Sequence, residues 1–86
     1  MEEQEKNRLT VKIYGQTYTL MGHASAEHMK RVAHGVNERM EELSAKNLRL
    51  DSTKLAVLVA LNYADELLKL QQEYEELLKL IEDERK

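Results

Sequence analysis

The chain contains no cysteine, no proline, no tryptophan and no phenylalanine, and only three glycines in 86 residues. Without cysteine, neither a disulfide nor a thiolate metal site can staple so small a fold. Without proline, nothing in the sequence forces a helix to stop. The glycines, Gly15, Gly22 and Gly35, are too scattered to build a phosphate-cradling loop. The apolar run Leu55–Leu61 is far shorter than the ~20 residues that cross a bilayer, and Asn62 and Asp65 follow at once. Met1 to Arg8 is polar and charged, with no apolar segment of the secretory kind. Residues 1–8 therefore read as a disordered tail.

What remains is 42% hydrophobic and 34% charged, a mix that suits long helices with a solvated face. Chains of this size bury a low fraction of their surface and lean on partners. The net charge of -3 is unevenly spread. Residues 1–50 are nearly balanced, whereas residues 65–84 carry eight acidic side chains against Lys69 and Lys79. Phosphate would be repelled by that half, which argues against a nucleic-acid partner.

Leu9, Val11 and Ile13 alternate with Thr10, Lys12 and Tyr14, the signature of a half-buried strand. Gly15-Gln16 suits a type II′ turn, and Thr17 to Met21 alternates again, completing a β-hairpin. Such a hairpin needs something packed on its apolar face. Ser25 is placed as an N-cap, with Glu27 in the first turn. Met29, Val32, Ala33, Val36, Met40 and Leu43 then form one stripe of a helix from about Ala26 to Ala45. Gly35 inside that helix suggests a neighbour in close approach. Asn47 suits the left-handed residue that often ends a helix. Asp51 is the next N-cap, with Leu50 and Leu55 spaced as a hydrophobic staple.

From Ser52 to about Glu84 neither proline nor glycine interrupts the chain. As one helix this stretch would run roughly 50 Å, too long for the rest of the chain to cover. Leu55–Leu61 is apolar all round, so it should be buried all round, by the hairpin, the first helix and a second chain. Ala60, Tyr63, Leu67, Leu70, Tyr74, Leu77 and Ile81 then alternate at spacings of three and four, the seam of a coiled coil. Asp65–Lys69, Glu75–Lys79 and Glu82–Lys86 are supporting pairs four apart. In a parallel pair of helices the flanking positions match Glu66 with Gln71, Glu73 with Leu78 and Leu80 with Arg85, none of them an attractive ion pair. Leu61, Leu68, Leu78 and Leu80 also fall off the seam, so the apolar surface is wider than two helices cover. The pattern implies an α+β chain: residues 9–60 as a head, residues 61–86 as a coiled-coil tail, and a homodimer that pairs again through its tails.

The residues offer no catalytic constellation. His23, His28 and His34 lack the spacing that puts two metal ligands on one helical face. Ser25, Ser44 and Ser52 have no base near them in sequence. The chain reads as a non-enzyme without metal or cofactor. A generic coiled-coil adaptor or chaperone-like subunit with an unrelated client is the alternative that composition and periodicity leave standing.

Four fragments narrow this. Val11-Lys12-Ile13-Tyr14-Gly15-Gln16-Thr17-Tyr18, then Glu27-His28-Met29, then Leu50-Asp51-Ser52-Thr53-Lys54-Leu55-Ala56-Val57-Leu58, then Ala60-Leu61-Asn62 resemble, in order and spacing, the ZapA family of bacterial cell-division proteins. The likeness runs from about Arg8 onward and is nearest the short form found in Gram-positive rods. It implies a hairpin-and-helix head on a long coiled-coil helix, dimers that pair antiparallel into tetramers, and no enzymatic activity. It implies binding to FtsZ, the tubulin-like GTPase of the division ring, whose filaments such proteins bundle in the cytoplasm at the midcell septum. The seam ends at Ile81, since Glu84 takes the next position, so the tetramer-forming tail is short. The resemblance implies contact through the head. The candidate contact there is the outward face of the first helix, Lys30, Arg31, His34 and Glu38, with Gln16 beside it at the hairpin turn. Gln16 stands where some relatives carry a basic residue.

Overall fold

The computed structural model describes residues 6–47 and 49–85. Four elements follow one another: β1 (Asn7–Ile13), β2 (Gln16–Gly22), α1 (Ala26–Lys46) and α2 (Ser52–Arg85). Alternation carries the hairpin as expected: Leu9, Val11 and Ile13 turn inward while Arg8, Thr10 and Lys12 are exposed. The strands pair antiparallel, with Leu9 opposite Leu20 and Val11 opposite Tyr18. β1 starts two residues earlier than the sequence suggested, so Asn7 and Arg8 belong to the strand rather than to a tail. Asn7 Nδ2 donates to the Ala24 carbonyl at 2.7 Å and anchors that end. Residues 1–5 of the expected tail, and the Glu82–Lys86 pair, lie outside the described residues.

The turn is not the expected one. Its central residues are Tyr14 and Gly15, at φ 50 and 81, flanked by the paired Ile13 and Gln16. Positive φ at both positions makes it type I′ rather than type II′. Left-handed backbone disfavours a bulky residue, yet Tyr14 is held there from two sides. Its N–H donates to Asn37 Oδ1 at 2.7 Å, and its hydroxyl donates to Ser44 Oγ at 2.8 Å. The hairpin is thereby tied to α1. Asn37→Ala leaves a partly buried N–H without its acceptor and should cost about 1–3 kcal/mol. Urea unfolding at fixed protein concentration reads this; an unchanged midpoint would mean the turn holds without that bond.

Both helices start where the caps predict. Ser25 Oγ accepts from the His28 N–H at 3.1 Å, and Asp51 Oδ1 accepts from the Lys54 N–H at 2.8 Å. Asn47 does end α1, but not in the left-handed region: its φ is -132. It closes the helix by donating twice to the Leu43 carbonyl, through the backbone N–H at 2.9 Å and Nδ2 at 3.1 Å.

The core is small. Met40, Leu55 and Val59 are buried at the α1–α2 crossing, with Val36, Leu43, Leu50, Tyr63 and the hairpin end Ile13–Tyr14 around them. Leu50 and Leu55 in one cluster form the expected staple. Met29 and Ala33 continue the α1 stripe under the hairpin, but Val32 is exposed. Within one chain Leu55–Leu61 is not buried all round. The chain itself covers only one side, Leu55 and Val59, and leaves Val57 56% and Leu61 63% exposed. Beyond Glu66, among the described residues, α2 runs on with no other element against it, and Leu67, Leu70, Tyr74, Leu77 and Ile81 are all exposed.

Candidate functional site

Two surfaces and one contact between helices make up the candidate machinery. The first surface is the apolar side of α2. Six of the seven expected seam residues, Ala60, Leu67, Leu70, Tyr74, Leu77 and Ile81, are exposed along it. Tyr63 is the exception, since it turns toward α1 and packs on the chain's own core. Leu61, Leu68, Leu78 and Leu80 lie open as well, which widens the face beyond a narrow stripe. At the head end it continues into a groove of about 680 Å3, lined by Ile13, Tyr18, Leu20, Val36, Met40, Ala56 and Val57 among others. Contiguous apolar surface of this kind marks an interaction site. Packing of an apolar face supplies most of a helix's stability in a protein, and a single copy leaves this face without a partner.

The second surface is the outward side of α1. Lys30, Arg31, His34 and Glu38 are all exposed there, on successive turns away from the buried Met29, Ala33 and Met40. His34 Nε2 and Glu38 Oε2 stand 3.1 Å apart across one turn, so protonated His34 is paired within the patch. Gln16 does not join them. It lines the apolar groove on the other side of the hairpin end, where its Oε1 accepts from the Tyr18 hydroxyl at 3.3 Å. Nothing in this arrangement aligns a nucleophile with a base. Among the described residues no cluster of His, Cys, Asp and Glu could hold a metal ion, and no helix is long and apolar enough to cross a membrane.

The contact between helices escaped the sequence reading. Arg39 reaches from α1 to α2, donating to both Glu66 oxygens at 2.5 and 3.4 Å. Its guanidinium carbon sits 4.5 Å from the centroid of the Tyr63 ring. The hydrogen bond from Arg39 holds the Glu66 carboxyl below the ordinary glutamate range, and the same bond raises Arg39. Because the folded value of Glu66 is depressed, the pair is intact above the ordinary carboxylate range. It is lost as the pH falls through the depressed value. Asp65 and Lys69, by contrast, pair locally as the spacing suggested, at 3.0 Å.

Comparison with known proteins bears on these surfaces. The sequence model of the family described as cell division protein ZapA matches residues 9–85. A cell division protein ZapA from Geobacillus sp. strain WCH70 is 47% identical over 85 residues, 99% of this chain and 98% of that one. Another from Shouchella clausii strain KSM-K16 is 56% identical over 70 residues, 81% of this chain and 90% of that one. Among solved structures, a ZapA mutant dimer from Geobacillus stearothermophilus is 46% identical, covers 95% of each chain and superposes with a TM-score of 0.76.

Proposed function

The chain belongs to the ZapA family of cell division proteins, and from that premise we propose that it binds FtsZ filaments, crosslinks them into bundles and stabilises the division ring. The observation that carries this reading is the exposed apolar side of α2, from Val57 to Ile81. A single copy leaves that side in water. Two copies pairing along it bury it, and a solved relative is a dimer. The extra width given by Leu61, Leu68, Leu78 and Leu80 supports a further pairing of two dimers through their tails.

Symmetric pairing of rigid helices repeats the head at a fixed separation. A protein with two or more identical heads can engage two filaments at once, and multivalency turns weak single contacts into firm ones. The contact proposed on each head is the outward α1 patch of Lys30, Arg31, His34 and Glu38; Gln16, across the hairpin end, is a flanking candidate. The protein acts without catalysis, metal or cofactor, in the cytoplasm at the midcell septum.

Co-sedimentation with FtsZ polymerised by GTP tests the reading. The chain should pellet with polymer, raise light scattering and slow disassembly. Failure to pellet even at low salt would overturn it. Arg31→Glu should weaken pelleting roughly tenfold, because every dimer presents the altered face twice. Its dimer should persist, and unchanged pelleting would move the contact off this patch.

A further inference from the structure

α1 and α2 form a helical hairpin, closed at one end by the turn where the Leu50 N–H meets the Asn47 carbonyl and packed midway by Met40, Leu55 and Val59. The far end, where α2 leaves the head, is held differently. Tyr63 lies against α1 between Gly35 and Arg39, which are one turn apart. A Cβ at Gly35 would stand 3.3 Å from the Tyr63 hydroxyl oxygen, and Arg39 covers the ring at 4.5 Å. One turn further along α2, Glu66 takes the same guanidinium through both oxygens. From Leu67 onward the rod is exposed.

Position and chemistry both suit this contact to setting an angle. Glu66 lies roughly 16 Å further along the helix than Leu55, so it resists tilting of the rod with a longer lever than the core has. A guanidinium that is stacked on one ring and forked onto one carboxylate is constrained in two directions, which an ammonium is not. With Glu66 53% exposed, the pair adds little to overall stability. Its effect is directional.

We propose that Arg39 is a positioning residue: gripped by Tyr63 and Glu66, it fixes the angle at which the rod leaves the head, and so the spacing at which an assembly holds two filaments. The angle stands on the geometry alone; the spacing rests on the filament-crosslinking reading above.

The lack of cysteine makes the test clean. Spin labels at Glu27→Cys and Gln72→Cys report the head-to-rod distance. Diluting labelled chain into excess unlabelled chain leaves one labelled copy per assembly. The distance distribution should be narrow in the chain with native Arg39 and Glu66. It should broaden at least twofold in Arg39→Ala and Glu66→Gln, and lie between in Arg39→Lys. The thermal midpoint should barely move, which separates positioning from a merely structural role. Unchanged widths in both variants would overturn the proposal. If Arg39→Ala does not fold, Glu66→Gln decides. Bundles formed with Glu66→Gln should still pellet but show a wider spread of filament spacing by electron tomography; an unchanged spread would overturn the spacing claim. Should the native chain form no bundles, the crosslinking reading and the spacing claim fall together, while the label widths still decide the angle.

Discussion

Leu55→Ala should destabilise the chain by about 2–5 kcal/mol, the range for emptying a fully buried leucine site. Leu55 is 0% exposed and joins the three layers of the head: it touches Met40 of α1 and Val59 of its own helix, under the hairpin end at Ile13 and Tyr14. No other described large side chain is so completely enclosed. A domain of this size has only about 5–15 kcal/mol of net stability, so the loss is a large share of the whole. Thermal unfolding at one fixed concentration reads it, because association shifts the midpoint by mass action. A loss below about 1 kcal/mol would mean that the head is held by something other than this cluster.

Leu77→Glu or Ile81→Glu should do the reverse, leaving the head folded and breaking the assembly. Leu77 is 54% exposed and Ile81 43% in the single chain, so neither supports the head. Full burial of a leucine or isoleucine is worth about 1.5–3 kcal/mol; about half of that is still to be gained by these half-exposed side chains, and a dimer loses it twice. Association should therefore weaken roughly 10-fold to 100-fold, before the cost of burying an unpaired carboxylate is added. Helicity of the tail should fall with it, since packing of an apolar face supplies most of a helix's stability in a protein. Sedimentation velocity at micromolar concentration reads the first effect and circular dichroism the second. An unchanged mass would show that the copies do not meet along this line.

Much of this was legible in the sequence because it is local. The alternation of Leu9, Val11 and Ile13, the caps at Ser25 and Asp51, and the heptad positions of Leu67, Leu70, Tyr74 and Leu77 each follow from spacing along one element. Gly35 signalled a close neighbour and Tyr63 is that neighbour. What the sequence did not give away depends on contacts between elements. Tyr14 takes a left-handed turn position that its own side chain disfavours, because Asn37 and Ser44 hold it from α1. Arg39 reads as one more charge on a solvated helix until α2 brings Glu66 beside it. Tyr63 falls on the heptad pattern, yet packing against α1 takes it off the open seam. Gln16 reads as a neighbour of the outward α1 patch, yet the fold sets it in the groove with Val36, Met40 and Ala56.

Sedimentation equilibrium of the purified chain, run across micromolar concentrations, goes straight to the need of the rod for a second copy. Folded protein should weigh twice the 10.0 kDa chain or more, with helical signal and mass declining together on dilution. A stable, fully helical species of 10.0 kDa at those concentrations would contradict it.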